Sequence, residues 1–592
     1  MKPFRILFLF VVLFSVTVQA ADYHTFYKQR CDSVLSYYKK LPYGPDAFRA
    51  MVKLNQNYDV PTALRIIDSV TIRPRGDMFW LYPVMSMYLY GQKNMPAAYK
   101  AKVRRSLKEY TPYRGDTENH WVMYYTSLYL ASQCWPNEPG PSWFNGKSSD
   151  ENRLDAEGWL NYWMTTTTTI GQGEFDSPAY LSFCLTPMFM LNQFSRDPVM
   201  KKRAEIMINW LLADFFIDYL DGQYCGPHSR IYEPDIFDKR QSMMSKTAAF
   251  FLGDRPLFNR KGEPVNFLGN CLVCAMSDYR LPDILYQIAT DRSQPYVSYE
   301  RKRSRNRLRY YDERNPTVNK MMYMTPTTAL GSIQYGHTEQ ILQHTWALTW
   351  KAVKPGEVTT LFTLHPYYSA RDMGSLFTSL LGSIVADVVD SKTTYDKEDK
   401  LVGSSPYEKL LQYKNTLIGL YDLSGPDVIY RHYDGFFSKD LQERIEDVSG
   451  WIFARTPTVY VAFRPLKQYE WIEEKQVWRL RSHDVKNGFI LEVKRPEECK
   501  SFSDFQAAIK ANLVEPIDFE RTLCVRYRNL DGDVLEFDYS GRRLVNGRND
   551  DPTDYPLFDS PYLQAATGSQ KMEIKHRNKK MVLDLAKATI TY

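Results

Sequence analysis

Residues 197–222 read DPVMKKRAEIMINWLLADFFIDYLDG, and this stretch decides the fold class of the first half of the chain. Asp197 is a good N-cap, and Pro198 fits the first turn of a helix. Apolar residues then follow on more than one face, until an Asp-Gly pair ends the helix. Because a helix that is apolar all round is buried between neighbours, the stretch predicts a body of packed helices.

The same kind of pattern extends outward over residues 22–295. Apolar residues recur at three- and four-residue spacing in Phe79–Tyr90, Ala97–Tyr110 and Trp121–Ser132. Loops containing Gly, Pro and Asn join these segments, and no strand-like alternation interrupts them. Repeated helices of this kind predict stacked helical hairpins.

From residue 321 onward the pattern changes to strands. Turn signals such as Asp531-Gly532 and Asn546-Gly547 separate short runs drawn largely from Val, Ile, Leu, Thr, Tyr and Phe. These runs are Val358–Thr363, Thr416–Tyr421, Thr458–Phe463, Gly488–Val493 and Leu523–Tyr527. They predict an antiparallel β-sandwich, so the expected fold class is α+β with several domains.

Residues 299–320 separate the two halves and are dense in Arg and Lys. A charge run of this kind is typical of a solvated linker, although it also suits a basic rim that faces an anionic substrate. The predicted domains are therefore a domain of helical hairpins over residues 21–298, a basic linker over 299–320 and a β-sandwich over 321–592.

The first twenty residues predict a secretory signal peptide. Lys2 and Arg5 precede an apolar run, and Val18-Gln19-Ala20 ends on a small residue that suits cleavage. The run is short for a membrane span, and no cysteine directly follows Ala20, as a lipoprotein would require. We therefore expect a periplasmic or secreted protein without a membrane span.

Composition narrows the class of partner. A net charge of +6 over 592 residues gives no indication of nucleic-acid binding but suits an acidic polymer. The aromatic fraction of 15% suits a protein that stacks rings on sugars, although aromatic residues also fill cores and sheet surfaces.

The segment Cys225–Tyr232 reads CGPHSRIY and places three reactive side chain types close together. Gly-Pro marks a turn, and His228, Arg230 and Tyr232 then alternate along the chain after that turn. On an extended backbone these three side chains point to the same side. An imidazole, a guanidinium and a phenol along one wall form a candidate catalytic set.

Two upstream segments, residues 116–120 and 173–180, are polar in the same way. The first contains Asn119 and His120 at a helix start, where free N–H groups and the helix dipole suit an anion; a capping role is the alternative. The second contains Glu174, and Ser177-Pro178 before Tyr180 is also a natural helix start. Candidate substrate-binding residues here are His120, Glu174, Trp121 and Tyr124.

These residue types suit β-elimination from a uronic acid. The C5 proton becomes acidic when hydrogen bonds and positive charge neutralise the adjacent carboxylate. A base then removes that proton, and an acid protonates the leaving glycosidic oxygen. Asn, Arg or His can neutralise the carboxylate, and His or Tyr can transfer the protons.

A helical half followed by a β-sandwich, with Asn119-His120 on one helix and His228 and Tyr232 on a later loop, resembles the (α/α)-toroid polysaccharide lyases. These include the chondroitin, hyaluronan, alginate and heparin lyases. The resemblance implies Asn119 as carboxylate neutraliser, His228 as base and Tyr232 as acid. Arg230 would assist, and Tyr180 is an alternative acid. The spacing of His228 and Tyr232 is tighter than in the chondroitin lyases, so the resemblance implies no particular subfamily.

Residues 335–339, reading YGHTE, supply one further candidate substrate-binding residue, His337. In toroid lyases, loops of the sandwich can close over the cleft. His337 and His344 lack further ligands nearby in the sequence, so we predict neither a metal nor another cofactor. The alternative is that these are ordinary strand residues.

The leading prediction is an exported lyase acting on an acidic polysaccharide or oligosaccharide. A glycoside hydrolase is the first alternative, because Glu118, Glu174, Asp176, Glu233 and Asp235 offer several possible carboxylate pairs. A glycan-binding protein without catalysis is the second. The sequence leaves open the glycan, endo or exo action, and the oligomeric state.

Overall fold

The computed structural model describes residues 23–113, 115, 117–304, 317–336, 342–369 and 395–592. The predicted signal peptide therefore lies outside the described residues, as do residues 305–316 of the predicted linker and His337. Within the described ranges, none of the helices has the length and apolar character needed to cross a bilayer.

The first half of the chain is helical, as the sequence predicts. Its helices are α1 (residues 23–40), α2 (Ala47–Asn55), α3 (Val60–Thr71), α4 (Met78–Gly91), α5 (Ala97–Glu109), α6 (Glu118–Cys134), α7 (Ser149–Ile170), α8 (Leu181–Phe194), α9 (Pro198–Ile217), α10 (Glu233–Phe237), α11 (Met243–Leu252), α12 (Cys271–Met276) and α13 (Asp283–Thr290). Helix α9 begins as expected: the Asp197 carboxylate accepts a hydrogen bond from Val199 N, and Pro198 lies in the first turn.

These helices form hairpins that stack side by side. Helices α2, α4, α6 and α8 contact one another in succession, while α3 contacts α5 in an outer row. Helices α7 and α9 pack against α6 and α8 respectively. The inner helices are buried on almost every face, which explains why their sequences are apolar all round. The predicted paired-helix architecture is confirmed.

The second half is built from antiparallel strands, whereas the first four strands of the described chain are short and lie among the helices. In chain order the strands are β1 (Arg75–Asp77), β2 (Thr111–Tyr113), β3 (Tyr219–Leu220), β4 (Gln223–Tyr224), β5 (Tyr296–Arg303), β6 (Thr317–Met324), β7 (Thr328–Tyr335), β8 (Trp346–Trp350), β9 (Thr360–Leu364), β10 (Glu408–Tyr413), β11 (Thr416–Asp422), β12 (Tyr433–Ser438), β13 (Glu443–Glu446), β14 (Ile452–Thr456), β15 (Val459–Pro465), β16 (Glu470–Glu473), β17 (Val477–Ser482), β18 (Lys486–Lys494), β19 (Val514–Ile517), β20 (Cys524–Arg528), β21 (Val534–Phe537), β22 (Arg543–Val545), β23 (Arg548–Asn549), β24 (Phe558–Asp559), β25 (Leu563–Ala565), β26 (Lys571–His576), β27 (Lys579–Asp584) and β28 (Thr589–Thr591). Two short helices, α14 (Phe502–Ala511) and α15 (Phe519–Thr522), follow β18 and β19.

Three sheets form the layers of this half. The largest has the order β16-β17-β12-β9-β8-β7-β6-β5-β24-β25-β26-β27-β28, the second β10-β11-β18-β15-β14-β13 and the third β19-β20-β21-β22-β23. Trp346 and Phe437 of the first sheet pack against Phe463 and Phe489 of the second. The opposite face of the second sheet packs against the third sheet and α14. The predicted β-sandwich is therefore present and carries an extra layer.

The largest sheet also joins the two halves of the chain. Its strands β26, β27 and β28 contact α9 and α13. Trp210 of α9 lies with its ring centroid 6.1 Å from that of Phe558. The helices and these strands share one continuous hydrophobic core, so the halves are packed together rather than tethered.

The predicted basic linker is not a linker where the structure describes it. Strands β5 and β6 pair in antiparallel register from Tyr296↔Met324 to Arg303↔Thr317, and both lie inside the largest sheet. The β region therefore begins near residue 296 rather than 321. The prediction failed because it treated Lys302, Arg303 and Lys320 as solvated, whereas each is at most 1% exposed.

Carboxylates from both halves of the chain neutralise these buried cations. Lys320 Nζ contacts Asp176, Asp218 and Glu300, while Lys302 Nζ lies 2.6 Å from both Asp214 oxygens and 3.1 Å from Glu300. We call Asp176, Asp214, Asp218, Glu300, Lys302 and Lys320 the buried charge network. Because four carboxylates face two ammonium groups, at least one acid is favoured in its protonated form. Burial raises the pKa of Asp214 to about 7.

Glu408 of β10 supplies a pH-dependent test of the packing between the sheets. Its side chain is 3% exposed, and Tyr421 Oη donates a hydrogen bond to its Oε1 at 2.5 Å. Burial raises the pKa of Glu408 from its ordinary 4.5 to about 7. The folded state therefore holds this proton more tightly than the unfolded state, and stability is lost as pH rises from about 4.5 to about 7.

We expect Glu408→Gln to be more stable than the wild type at pH 8, by on the order of 3 kcal/mol, and equal to it near pH 4. The amide keeps an acceptor for Tyr421 and removes the buried charge. Urea denaturation midpoints at both pH values measure the difference. A constant difference across pH would show that Glu408 is not protonated in the folded state.

Candidate active site

The fold brings the three polar segments of the sequence to one place. The segment Cys225–Tyr232 runs between the loop after α7 and the largest sheet. On the sheet side, His228 N donates to His344 O at 3.1 Å, and His344 N donates back to His228 O at 2.9 Å. On the loop side, Ser229 N donates to Phe175 O, and Ser177 Oγ donates to Arg230 O. Backbone pairing on both sides thus holds this segment extended.

A buried carboxylate, Glu174, connects two of the predicted residues. Its Oε2 accepts hydrogen bonds from Asn119 N at 2.8 Å and from Asn119 Nδ2 at 2.6 Å. Its Oε1 accepts from Arg230 Nη1 at 2.8 Å. Asn119 Nδ2 also donates to Thr117 Oγ1, so both amide hydrogens have acceptors inside the protein. The Asn119 oxygen is buried and accepts no hydrogen bond from the described residues.

Arg230 continues the chain of hydrogen bonds towards the surface. Its Nη2 donates to Tyr232 Oη at 3.1 Å, and the oxygens of Tyr232 and Tyr180 lie 2.5 Å apart in a hydrogen bond. The guanidinium carbon also lies 4.1 Å from the centre of the Tyr180 ring. Both phenols are partly exposed, whereas Arg230 is 8% exposed. The phenols are therefore the reactive groups of the cluster that open to solvent.

Burial is the largest influence on the Tyr180 phenol and raises its pKa, with the Arg230 cation opposing the rise. Tyr180 therefore keeps its proton and can donate it to Tyr232. With Arg230 also donating, two donors point at the Tyr232 oxygen and stabilise negative charge there during a proton transfer.

His228 lies beneath this surface rather than on it. Its side chain is buried, and its Nδ1 lies 2.6 Å from the carbonyl oxygen of Asp176. Burial and, as the next largest cause, the Lys239 cation together lower the pKa of His228 to about 3, so the imidazole is neutral. No described residue hydrogen-bonds its Nε2.

Glu118, at the first residue of α6, organises the loop that carries Glu174. Its Oε2 accepts hydrogen bonds from the backbone N–H groups of Gly173 and Glu174 at 3.1 and 2.6 Å. Its Oε1 accepts from Trp163 Nε1 and from Arg303 Nη2. This carboxylate is 3% exposed and serves to fix the loop.

Three further predicted residues lie on α6. His120 is half-buried, with its ring 5.6 Å from that of Phe79. Trp121 and Tyr124, predicted to bind substrate, are instead packed in the helical core at 4% and 7% exposure. The reason is that α6 is enclosed by α4, α7 and α8, which leaves these rings no open face.

The sequence analysis did not identify two residues that contact Asp176 at the candidate site. Tyr224 Oη donates to Asp176 Oδ1 at 3.0 Å, and Lys320 contacts the other oxygen of that carboxylate. Residues 296–303 read YVSYERKR, and the run of charges from Glu300 to Arg303 suggested solvent rather than a buried strand. Cations neutralised by residues distant in sequence cannot be recognised from local pattern.

Three carboxylates of the buried charge network are close enough to suggest a metal site. Oxygens of Asp176, Asp218 and Glu300 all lie within 4.8 Å of one another. The Lys320 ammonium, however, contacts all three of these carboxylates. The chain itself thus supplies the cation at this position.

Comparisons with known proteins give only distant likenesses. Among solved structures, the chondroitin AC lyase of Streptomyces coelicolor A3, in complex with chondroitin sulphate, is 9% identical with a TM-score of 0.43, covering 94% of this chain and 88% of that one. Heparinase III is 8% identical with a TM-score of 0.33, covering 78% and 75%. A Paenibacillus xanthan lyase is 8% identical with a TM-score of 0.27, covering 87% and 71%. No family model and no curated protein matches the chain. At these scores the likeness assigns neither residues nor a reaction to this protein.

The role of Glu174 can be tested by Glu174→Gln. The new amide would turn a donor towards Asn119 or Arg230 and would remove the charge that balances the guanidinium. Because removing one partner of a buried pair is costly, we expect a loss of about 3 kcal/mol in the free energy of unfolding.

The matched control is Glu233→Gln, which changes an exposed residue of α10 and should alter stability by less than about 0.5 kcal/mol. Chemical denaturation of both variants measures the difference. Equal midpoints would mean that the Glu174 pairing with Arg230 contributes little.

Proposed function

We propose that the protein is an exported polysaccharide lyase that cleaves a glycan containing uronic acid by β-elimination. The observation that carries the proposal is the hydrogen-bonded set of Arg230, Tyr232 and Tyr180, with both phenols open to solvent. Two hydrogen-bonded phenols beside a guanidinium can act as a proton acceptor and a proton donor within one site.

The reaction requires two proton transfers and no water. A base removes the C5 proton of the uronate, the bond between C4 and the glycosidic oxygen breaks, and a double bond forms between C4 and C5. The departing oxygen takes a proton from an acid. In our proposal Tyr232 accepts the C5 proton as a phenolate, and Tyr180 protonates the departing oxygen.

Arg230 acts at two stages of the proposed reaction. Before the reaction its Nη2 contacts the Tyr232 oxygen and stabilises a phenolate there. Once Tyr232 has taken the proton, that phenolate charge is gone, and the guanidinium can stabilise the negative charge that develops on the substrate carboxylate. Glu174, paired with Nη1, holds the guanidinium in place throughout.

Asn119 and His228 take different parts from those implied by the family resemblance. Asn119 cannot donate to a substrate carboxylate in the present arrangement, since Glu174 and Thr117 accept both of its amide hydrogens. His228 is buried, so we place it behind the phenols, with Nε2 as a hydrogen-bond acceptor rather than the first base.

The hydrolase alternative finds less support. A hydrolase needs two carboxyl groups that face the sugar from either side of the scissile bond. Glu118, Glu174 and Asp176 are buried and bound to Arg303, Arg230 and Lys320 respectively. The two other candidates, Glu233 and Asp235, lie together on the five-residue helix α10. These acids form no obvious pair across a cleft.

An absorbance assay tests the proposal. We expect incubation with a panel of uronate glycans to produce an unsaturated product that absorbs in the ultraviolet. Tyr232→Phe and Tyr180→Phe should each lower kcat by about a hundredfold or more, because each removes one proton-transfer group. Tyr43→Phe changes an exposed phenol outside the cluster and should keep the wild-type rate.

New reducing ends without ultraviolet absorbance would indicate hydrolysis and overturn the proposal. Binding of a glycan without any cleavage would favour the non-catalytic alternative. Thermal melts of the variants establish that loss of rate does not reflect loss of fold.

A further inference from the structure

The backbone of Asp176 has an unusual conformation at the centre of the site. Its φ is +50°, in the left-handed region that non-glycine residues seldom adopt. Asp is one of the residues that tolerate this region, but the conformation still needs contacts that hold it. Such outliers often carry a functional constraint, and at Asp176 both the side chain and the backbone carbonyl are engaged.

The side chain of Asp176 is fixed to the largest sheet and to the segment before His228. Its Oδ2 contacts Lys320 of β6, and its Oδ1 accepts a hydrogen bond from Tyr224 Oη at 3.0 Å. Lys302 of β5 lies 3.6 Å away. Lys320 is in turn held by Asp218 and Glu300. All of these groups are buried, so the carboxylate has little freedom to move.

The backbone carbonyl of Asp176 then determines which nitrogen of His228 carries the proton. This oxygen lies 2.6 Å from Nδ1 and can only accept a hydrogen bond, so Nδ1 must be the donor. A neutral imidazole with its proton on Nδ1 has an unprotonated Nε2. In the opposite tautomer, the lone pair of Nδ1 would face the lone pairs of the Asp176 carbonyl oxygen, which is repulsive.

A glycine packs against the Nε2 edge of the His228 ring. A Cβ on Gly226 would lie 2.9 Å from His228 Nε2 and 2.8 Å from Cδ2, which is too close for any other residue. On a different side, the Tyr224 ring meets the His228 ring edge to face at 5.5 Å. The ring is therefore held by packing while its Nε2 has no hydrogen-bond partner among the described residues.

We propose that Asp176, anchored through Lys320, is a positioning residue that holds His228 in the Nδ1-protonated tautomer and keeps Nε2 as a hydrogen-bond acceptor. The tautomer itself does not depend on the reaction; only its catalytic consequence rests on the proposed function. The contacts of the Asp176 side chain with Lys320 and Tyr224 fix the position of the Asp176 carbonyl, and this carbonyl in turn fixes the proton of the imidazole on Nδ1.

Two substitutions separate the side chain of Asp176 from its backbone. Asp176→Gly adopts a positive φ freely but loses the anchor to Lys320 and Tyr224. Removal of the Asp176 carboxylate leaves three carboxylates for the two ammonium groups of the buried charge network, so neither cation is left unpaired. Asp176→Asn keeps both the left-handed preference and an oxygen that can accept from Tyr224.

The test is nitrogen NMR of the full chain labelled with ¹⁵N-histidine, in which protonated and unprotonated ring nitrogens have distinct shifts. His228→Gln identifies the His228 signals. We expect the Nε2-protonated form to make up less than about a tenth of the wild type and of Asp176→Asn. In Asp176→Gly it should rise at least about fivefold, since the carbonyl is no longer fixed.

A wild-type His228 that is protonated on Nε2, or on both nitrogens, at pH 7 would overturn the proposal, whether or not the Gly variant folds. So would a folded Asp176→Gly with an unchanged tautomer. If cleavage is found, Asp176→Gly should lower kcat at least about tenfold with a smaller change in KM. Absence of cleavage with every glycan would count against the proposed function and leave the NMR result standing.

Discussion

The contact of Lys320 with Asp176, Asp218 and Glu300 is the interaction on which the rest of the structure depends. Lys320 lies on a central strand, Asp218 directly follows α9, and Asp176 belongs to the loop between α7 and α8. One buried ammonium thus joins the helical half, the sheet and the site loop. Because an unpaired ammonium cannot remain in this interior, the three segments must fold together around it.

The same principle shapes the site itself. Three buried carboxylates at the site each have a cationic partner: Glu118 binds Arg303, Glu174 binds Arg230, and Asp176 binds Lys320. These pairs fix the backbone of the loop and of the segment Cys225–Tyr232. The phenols of Tyr180 and Tyr232 remain at the open end, where the proposed reaction needs its proton-transfer groups. The buried ion pairs therefore fix the backbone beneath the two partly exposed phenols.

Much of the site could be named from the sequence, but its roles could not. Asn119, Tyr180, His228, Arg230 and Tyr232 stand in three polar segments, and the fold brings these segments together. The roles depend on which hydrogen bonds are already made, and Glu174 accepts from both Asn119 and Arg230. Trp121 and Tyr124, predicted to bind substrate, are buried because neighbouring helices enclose α6. Exposure of an aromatic ring is a property of packing, which local pattern does not contain.

By itself the sequence determined the two-part architecture, since the spacing of apolar residues at helical and then strand periods depends only on local geometry. It also determined which side chain types are available for chemistry. Tertiary structure alone decided that residues 296–303 and 317–324 are central strands, because their basic side chains are stable there only with Asp214, Asp218, Glu300 and Glu118 beside them. It alone decided as well that His228 is neutral and buried while the phenols are open. The physical reason is the same in both cases: the free energy of a charge depends on its partners and on its distance from water, and the fold sets both.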